Sequence, residues 1–199
     1  MWVGTGEASQ LNEPERKFVR CSFFRQFVIC GLLVAGISVV QAEPGPLAAF
    51  EAKGRVIKNH DGDTITLATN DHGVLTIRLS GADAPETGQG YWKVARDYLR
   101  SLVRGAETSA WCYKRDRYDR AVCHVRVGAQ DMQAALIAKG YAWYAFQFAH
   151  ELDADQRARY QEAEQQARDQ RIGLWRTPDP MPPWECRQHK RAGNSVRCR

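Results

Sequence analysis

Three short runs rich in β-branched residues, at 55–58, 64–67 and 74–79, constrain this chain more than any other feature. Turn formers separate them: Asp61-Gly62 first, then Asn70-Asp71-His72-Gly73. Strand composition broken by such turns predicts a three-stranded meander.

Beyond it the period changes. Val94, Ala95, Tyr98, Leu99, Leu102 and Val103 recur at helical spacing over residues 91–103, and Gly105 is a fitting stop. Residues 108–113 and 121–127 read as a further hairpin with a polar tip at 114–120. Asp131 can cap a helix running through Ile137 and ended by Gly140, and a long polar helix is expected over 152–171. Its buried side is read as Leu152, Ala163, Ala167 and Ile172. Five strands with helices between and after them suggest a small, strongly bent barrel of the OB type, an α+β arrangement. The prolines at 178, 180, 182 and 183 read as a stiff extended linker. The folded domain is therefore expected over 50–176, with 177–199 a linker and a basic, Cys-containing tail.

Residues 27–40 are uncharged and apolar, follow Arg16, Lys17, Arg20 and Arg25, and lead to Val40-Gln41-Ala42. That is the layout of a secretory signal peptide over 1–42, cleaved after Ala42, and the run is short against the roughly 20 residues of a spanning helix. An uncleaved anchor is the rival reading. Export predicts a secreted or periplasmic protein in an oxidising compartment, with Cys112 paired to Cys123 and Cys186 to Cys198. Zinc is the alternative use of four cysteines, but the paired CxxC spacing is missing. Without the leader, 24 Lys+Arg stand against 20 Asp+Glu, a basic balance that favours anionic partners.

Acids and arginines gather in three segments, at 61–64, 78–87 and 115–120, each placed where strands meet turns. Taken singly each has a plain structural explanation as turn, loop or solvated hairpin tip. Together they supply what phosphodiester hydrolysis requires: carboxylates for a cation, an acceptor for the proton of water, and donors that follow charge onto the phosphate oxygens. Asp63 and Asp83 are hard oxygen ligands suited to calcium or magnesium, while no histidine pair stands at ligand spacing. Arg78 and Arg120 can each present a planar fork to two phosphate oxygens.

These residues resemble the staphylococcal nuclease (thermonuclease) family. The likeness runs through DGDT at 61–64, IRLSGADAPET at 77–87, RDRYDR at 115–120 and IGLW at 172–175, covering about residues 52 to 176. The resemblance implies a five-stranded OB-fold barrel with three helices. It also implies a Ca2+ ion held by Asp63, Asp83 and the main-chain carbonyl of Ala84. Glu86 matches the general base, and Arg78 and Arg120 the two arginines that contact the phosphate. Asp61 and Tyr118 are supporting residues, and Arg117, Phe146 and Phe148 are expected to bind substrate, although Phe146 and Phe148 read equally well as cover for the barrel. The implied activity is a monomeric calcium-dependent endonuclease of low sequence preference, acting on DNA and RNA to leave 3′ phosphates. A barrel that binds nucleic acid without cutting it is the alternative.

Three departures from the family bear on these expectations. Asp119 stands where a glycine is usual, at a turn that asks for left-handed backbone. The loop from Glu86 to the helix is short. Finally, the tail from Trp184 to Arg199 has no counterpart, so Arg187, Lys190, Arg191, Arg197 and Arg199 read either as added phosphate contacts or as a solvated appendage.

Overall fold

A computed structural model describes residues 48–193; the expected leader, Cys198, Arg197 and Arg199 lie outside the described residues. The meander forms as β1 (Phe50–Asn59), β2 (Thr64–Thr69) and β3 (Val74–Leu79), with β1 reaching several residues further toward the N-terminus than composition suggested. That extension is explained by pairing, since Phe50 to Arg55 lie opposite Cys112 to Glu107 of a later strand. Strand alternation is clearest in β3, where Leu75, Ile77 and Leu79 are buried and Val74 is exposed.

A two-residue strand, β4 (Ala82–Asp83), precedes helix α1 (Trp92–Val103). Ala95, Leu99 and Val103, spaced by four, form its fully buried stripe, and Val94 faces solvent despite being apolar. The second hairpin is β5 (Glu107–Arg115) and β6 (Ala121–Val127), in which Cys112 and Cys123 are register partners joined by a disulfide. Then come β7 (Gln130–Asp131) and α2 (Met132–Ala138), whose N-cap Asp131 accepts from the Ala134 N–H. Next are β8 (Trp143–Tyr144), a 3-10 turn over Phe146–Glu151 and α3 (Ala154–Asp169). Asp153 and Gln156 close a capping box at the start of α3, and Tyr160 and Ala167 are its buried residues. The sequence pattern missed Tyr160 because a tyrosine in a polar helix carries no periodic signal.

Strands run in the order β3-β2-β1-β5-β6-β7, and β3 also pairs in parallel with β6, which closes the first five into a barrel. Ile65, Leu67, Ile77, Val125, Leu136 and Leu99 are fully buried in one continuous core shared by barrel and helices. Each such side chain contributes about 1.5–3 kcal/mol of burial. After a second 3-10 turn at Gly173–Arg176, residues 177–182 are neither helix nor strand. A fourth helix follows, α4 (Pro183–Arg191), with proline at its first position, where the missing N–H costs nothing. Trp184 of α4 packs edge-on against Trp143 and Phe146, and Cys186 is fully buried. This start of the tail is therefore a docked helix rather than a solvated appendage. Among the described residues, no helix is long and apolar enough to cross a membrane.

Candidate active site

Strand register assembles the site. Thr64 of β2 lies opposite Arg78 of β3, and Arg78 lies beside Val122 of β6. Asp63, just ahead of β2, and Arg120, just ahead of β6, are thereby brought to the same end of the barrel as Arg78. Two glycines make the local approach feasible. A Cβ on Gly62 would come 2.6 Å from the Cβ of Ala84 and 2.7 Å from that of Ala95, so only glycine lets the Asp61–Asp63 turn sit against the loop that carries Asp83. Gly81 has φ 68°, the left-handed backbone that turns the chain from β3 into β4.

Arg78 is fixed by that turn. Its Nη1 donates to the carbonyls of Leu79 at 3.0 Å and Ala82 at 2.8 Å, and Nη2 donates to Asp83 Oδ1 at 2.8 Å. Nη1 also lies 3.1 Å from Asp63 Oδ2. Burial pulls the guanidinium down, but Asp63, Asp83 and Asp61 hold it above its ordinary value.

Asp63 accepts from the Thr64 hydroxyl at 3.1 Å and from the Ala84 N–H at 2.6 Å. Burial pushes its carboxyl up to about 7, with Arg78 opposing the rise and the neighbouring Asp61 adding to it. Asp61 accepts the Asp63 N–H at 3.0 Å and so shapes the turn. Asp83 sits on β4, held by pairing with Trp143 of β8.

The hairpin tip delivers the second arginine. Asp119 adopts φ 61°, so the left-handed position usually filled by glycine is kept with an aspartate. Arg120 is not turned away by it: Nε donates to Asp116 Oδ2 at 2.7 Å and Nη1 to the Thr64 hydroxyl at 3.2 Å. Tyr118 is 65% exposed, with Arg117 5.0 Å and Arg120 5.4 Å from its ring.

One open cleft of about 710 Å³ is lined by Asp61, Asp63, Arg78, Asp83, Ala84, Glu86, Arg117, Tyr118, Arg120 and Phe148. Phe146 is placed elsewhere; it packs on Trp184 and lines a separate shallow depression. Sequence reasoning gave no role to Asp116, Lys114 or Glu151 in the cleft, and left Arg187 open between a phosphate contact and a solvated appendage. Asp116 anchors Arg120, and Lys114 pairs with Glu151 while lying 5.4 Å from the Phe148 ring. Arg187 reaches in from α4 and donates to Asp83 and Glu86. No spacing in the sequence marks that contact, which spans about a hundred residues.

As a cation site the cleft has the carboxylates of Asp63 and Asp83, which here pair with Arg78 and Arg187, and Ala84 beside them on its wall. Among the described residues, no three His, Cys, Asp or Glu side chains form a ligand cluster. The donor set nevertheless fits a hard divalent ion that completes its shell with carbonyls and water. Asp63 supplies the drive, because a buried carboxylate whose proton affinity is raised is one that a nearby cation would relieve.

Comparison with known proteins gives a consistent picture. The family described as Staphylococcal nuclease homologue matches residues 76–177. A staphylococcal-like nuclease of Arabidopsis thaliana, CAN1, is 39% identical over 118 residues, which is 59% of this chain and 35% of the plant protein. An uncharacterized endonuclease of Escherichia coli O157:H7 is 34% identical over 146 residues, covering 73% of this chain and 91% of the relative. The micrococcal nuclease of Shigella flexneri is 32% identical over 145 residues, 68% and 80% of the two chains. This chain spans about a third of the length of the Arabidopsis relative.

Proposed function

Because this chain belongs to the staphylococcal nuclease family, we propose that it is a metal-dependent phosphodiesterase that cuts DNA and RNA, with Ca2+ as its ion. The observation that carries this reading is the single cleft in which Asp63, Asp83, Glu86, Arg78 and Arg120 meet. Asp63, Asp83 and the Ala84 carbonyl would hold the ion, which supplies positive charge against the phosphate. Arg78 and Arg120 line the same cleft, each with a planar fork suited to phosphate oxygens. Both are already oriented, Arg78 by two backbone carbonyls and Arg120 by Asp116, so little reorganisation is needed as charge builds on those oxygens. Glu86 accepts the proton of the attacking water, and Tyr118 and Phe148 offer ring faces to the sugar and base beside the scissile phosphate.

The direct test is cleavage of single-stranded DNA by the purified protein with Ca2+, followed by a chelator. Cleavage that stops on chelation and leaves 3′-phosphate ends is expected; turnover unchanged after chelation removes the metal from the reading.

We also place the protein outside the cytoplasm. The Cys112–Cys123 disulfide supports this, since such bonds persist in oxidising compartments, as does the apolar leader. Fractionation of producing cells checks it, and a wholly cytoplasmic protein with reduced Cys112 and Cys123 is the contrary result.

A further inference from the structure

The short loop after Glu86 is held by the C-terminal segment at several successive points. The Glu86 N–H donates to Gln89 Oε1 at 2.7 Å, and the other end of that amide donates to the Met181 carbonyl at 3.0 Å. Lys190 Nζ reaches the Thr87 carbonyl at 3.4 Å. The strongest contact is made by Arg187. Its Nη1 donates to Glu86 Oε1 at 2.7 Å and to Asp83 Oδ1 at 3.1 Å, while Nη2 donates to Asp83 Oδ2 at 2.6 Å. One guanidinium thus makes a two-pronged pair with Asp83 and draws the Glu86 carboxylate to the same fork.

The segment is anchored well enough to act as a fixed support. Trp184 packs on the buried Trp143, whose backbone lies opposite Asp83 in the β4–β8 pairing, and Cys186 is fully buried one position before Arg187. Within α4, Arg187 is the residue that lines the cleft, together with Arg78, Arg120, Tyr118 and Phe148.

We propose that Arg187 is a positioning residue of the site, and that α4 is the rigid arm that carries it. It sets the direction of the Glu86 carboxylate and holds Asp83 beside it. In doing so it adds a side-chain restraint to the backbone one that Gln89 already gives Glu86 within the loop. This inference rests on the phosphodiesterase reading above, and it makes the C-terminal segment part of the working enzyme.

The test compares the full-length wild-type protein with Arg187→Ala, Arg187→Lys and Arg191→Ala in Ca2+ on single-stranded DNA. Thermal unfolding confirms that each is folded, and Ca2+ affinity is measured separately by calorimetry. Arg187→Ala is expected to lower kcat about 100-fold with KM changed by less than about threefold, the size of loss that a base displaced by about 1 Å produces. Arg187→Lys, which keeps the charge but not the fork, should recover part of the rate, and free guanidinium ion should partly rescue Arg187→Ala. Arg191→Ala removes the same charge from the same helix, and its kcat should fall far less than that of Arg187→Ala. A folded Arg187→Ala as active as wild type overturns the proposal while leaving the phosphodiesterase reading in place. A faster Arg187→Ala that binds Ca2+ more tightly also overturns it, and makes α4 a blocking latch instead. Wild type that does not cut DNA with Ca2+ sinks the functional reading itself, and this inference with it.

Discussion

At the scale of single residues, the cleft works by giving similar groups different surroundings. Asp63 is buried under Ala84 and Arg78, whereas Glu86 lies at the rim and is reached by a guanidinium from α4. Glu86→Gln keeps the shape and removes the proton acceptor, so a folded protein with a rate lowered by about 100-fold or more is expected, read as kcat at saturating DNA. Arg78→Lys tests a different property. The fork at Arg78 joins two backbone carbonyls and two carboxylates, and a lysine ammonium cannot span that set. A fall in kcat/KM of about tenfold or more is expected, and equal activity in the lysine protein would show that the fork is irrelevant. Gly62→Ala acts through space alone. Its Cβ would press on Ala84 and Ala95, so the turn and the Ala84 carbonyl must part, and Ca2+ affinity by calorimetry should weaken several-fold. These residues were legible in the sequence because each sits in a local motif whose spacing reports its turn.

Elements explain why the rest was less legible. The barrel was readable from strand composition and turn residues, since neighbouring strands in the meander and in the β5–β6 hairpin pair locally. Closure of β3 on β6 and the reach of β1 toward β5 are long-range pairings, and no window of residues contains them. The same limit hid α4. Prolines at 178, 180 and 182 mark a stretch that is neither helix nor strand, though it bends with Asp179 at φ 48° instead of running extended, and Trp184 and Arg187 find their partners in residues 143 and 83–86. Helix α3 shows a comparable case. Tyr160 is fully buried, and its hydroxyl lies 3.1 Å from both Asp131 Oδ2 and His124 Nδ1, tying α3 to the start of α2 and to β6. Removing that hydroxyl leaves a half-buried carboxylate short of a donor. Tyr160→Phe is therefore expected to lose about 1–3 kcal/mol of stability in urea unfolding with kcat unchanged, because the cluster lies outside the cleft. A loss of activity in the folded protein would tie α3 to the chemistry instead.

For the molecule as a whole, the formal charge of +5 suggests strong attraction to a polyanion, but its distribution argues otherwise. Apart from Arg117, which lies over the Tyr118 ring, the cationic groups in the cleft already face carboxylates. Arg78 meets Asp63 and Asp83, Arg187 meets Asp83 and Glu86, Arg120 meets Asp116, and Lys114 meets Glu151. Phosphate entering such a cleft exchanges one set of ion pairs for another, and few counterions are released from the strand. If about two phosphates are newly neutralised, affinity for single strands falls with salt at a slope near −1.4, which is about sevenfold between 50 and 200 mM. The measurement is kcat/KM on a short oligonucleotide across that range at fixed Ca2+. A drop of a hundredfold or more would mean that an extended basic surface outside the cleft carries the strand. A shallow slope would mean that binding rests on the few groups around one phosphate, where their orientation matters more than the charge of the chain.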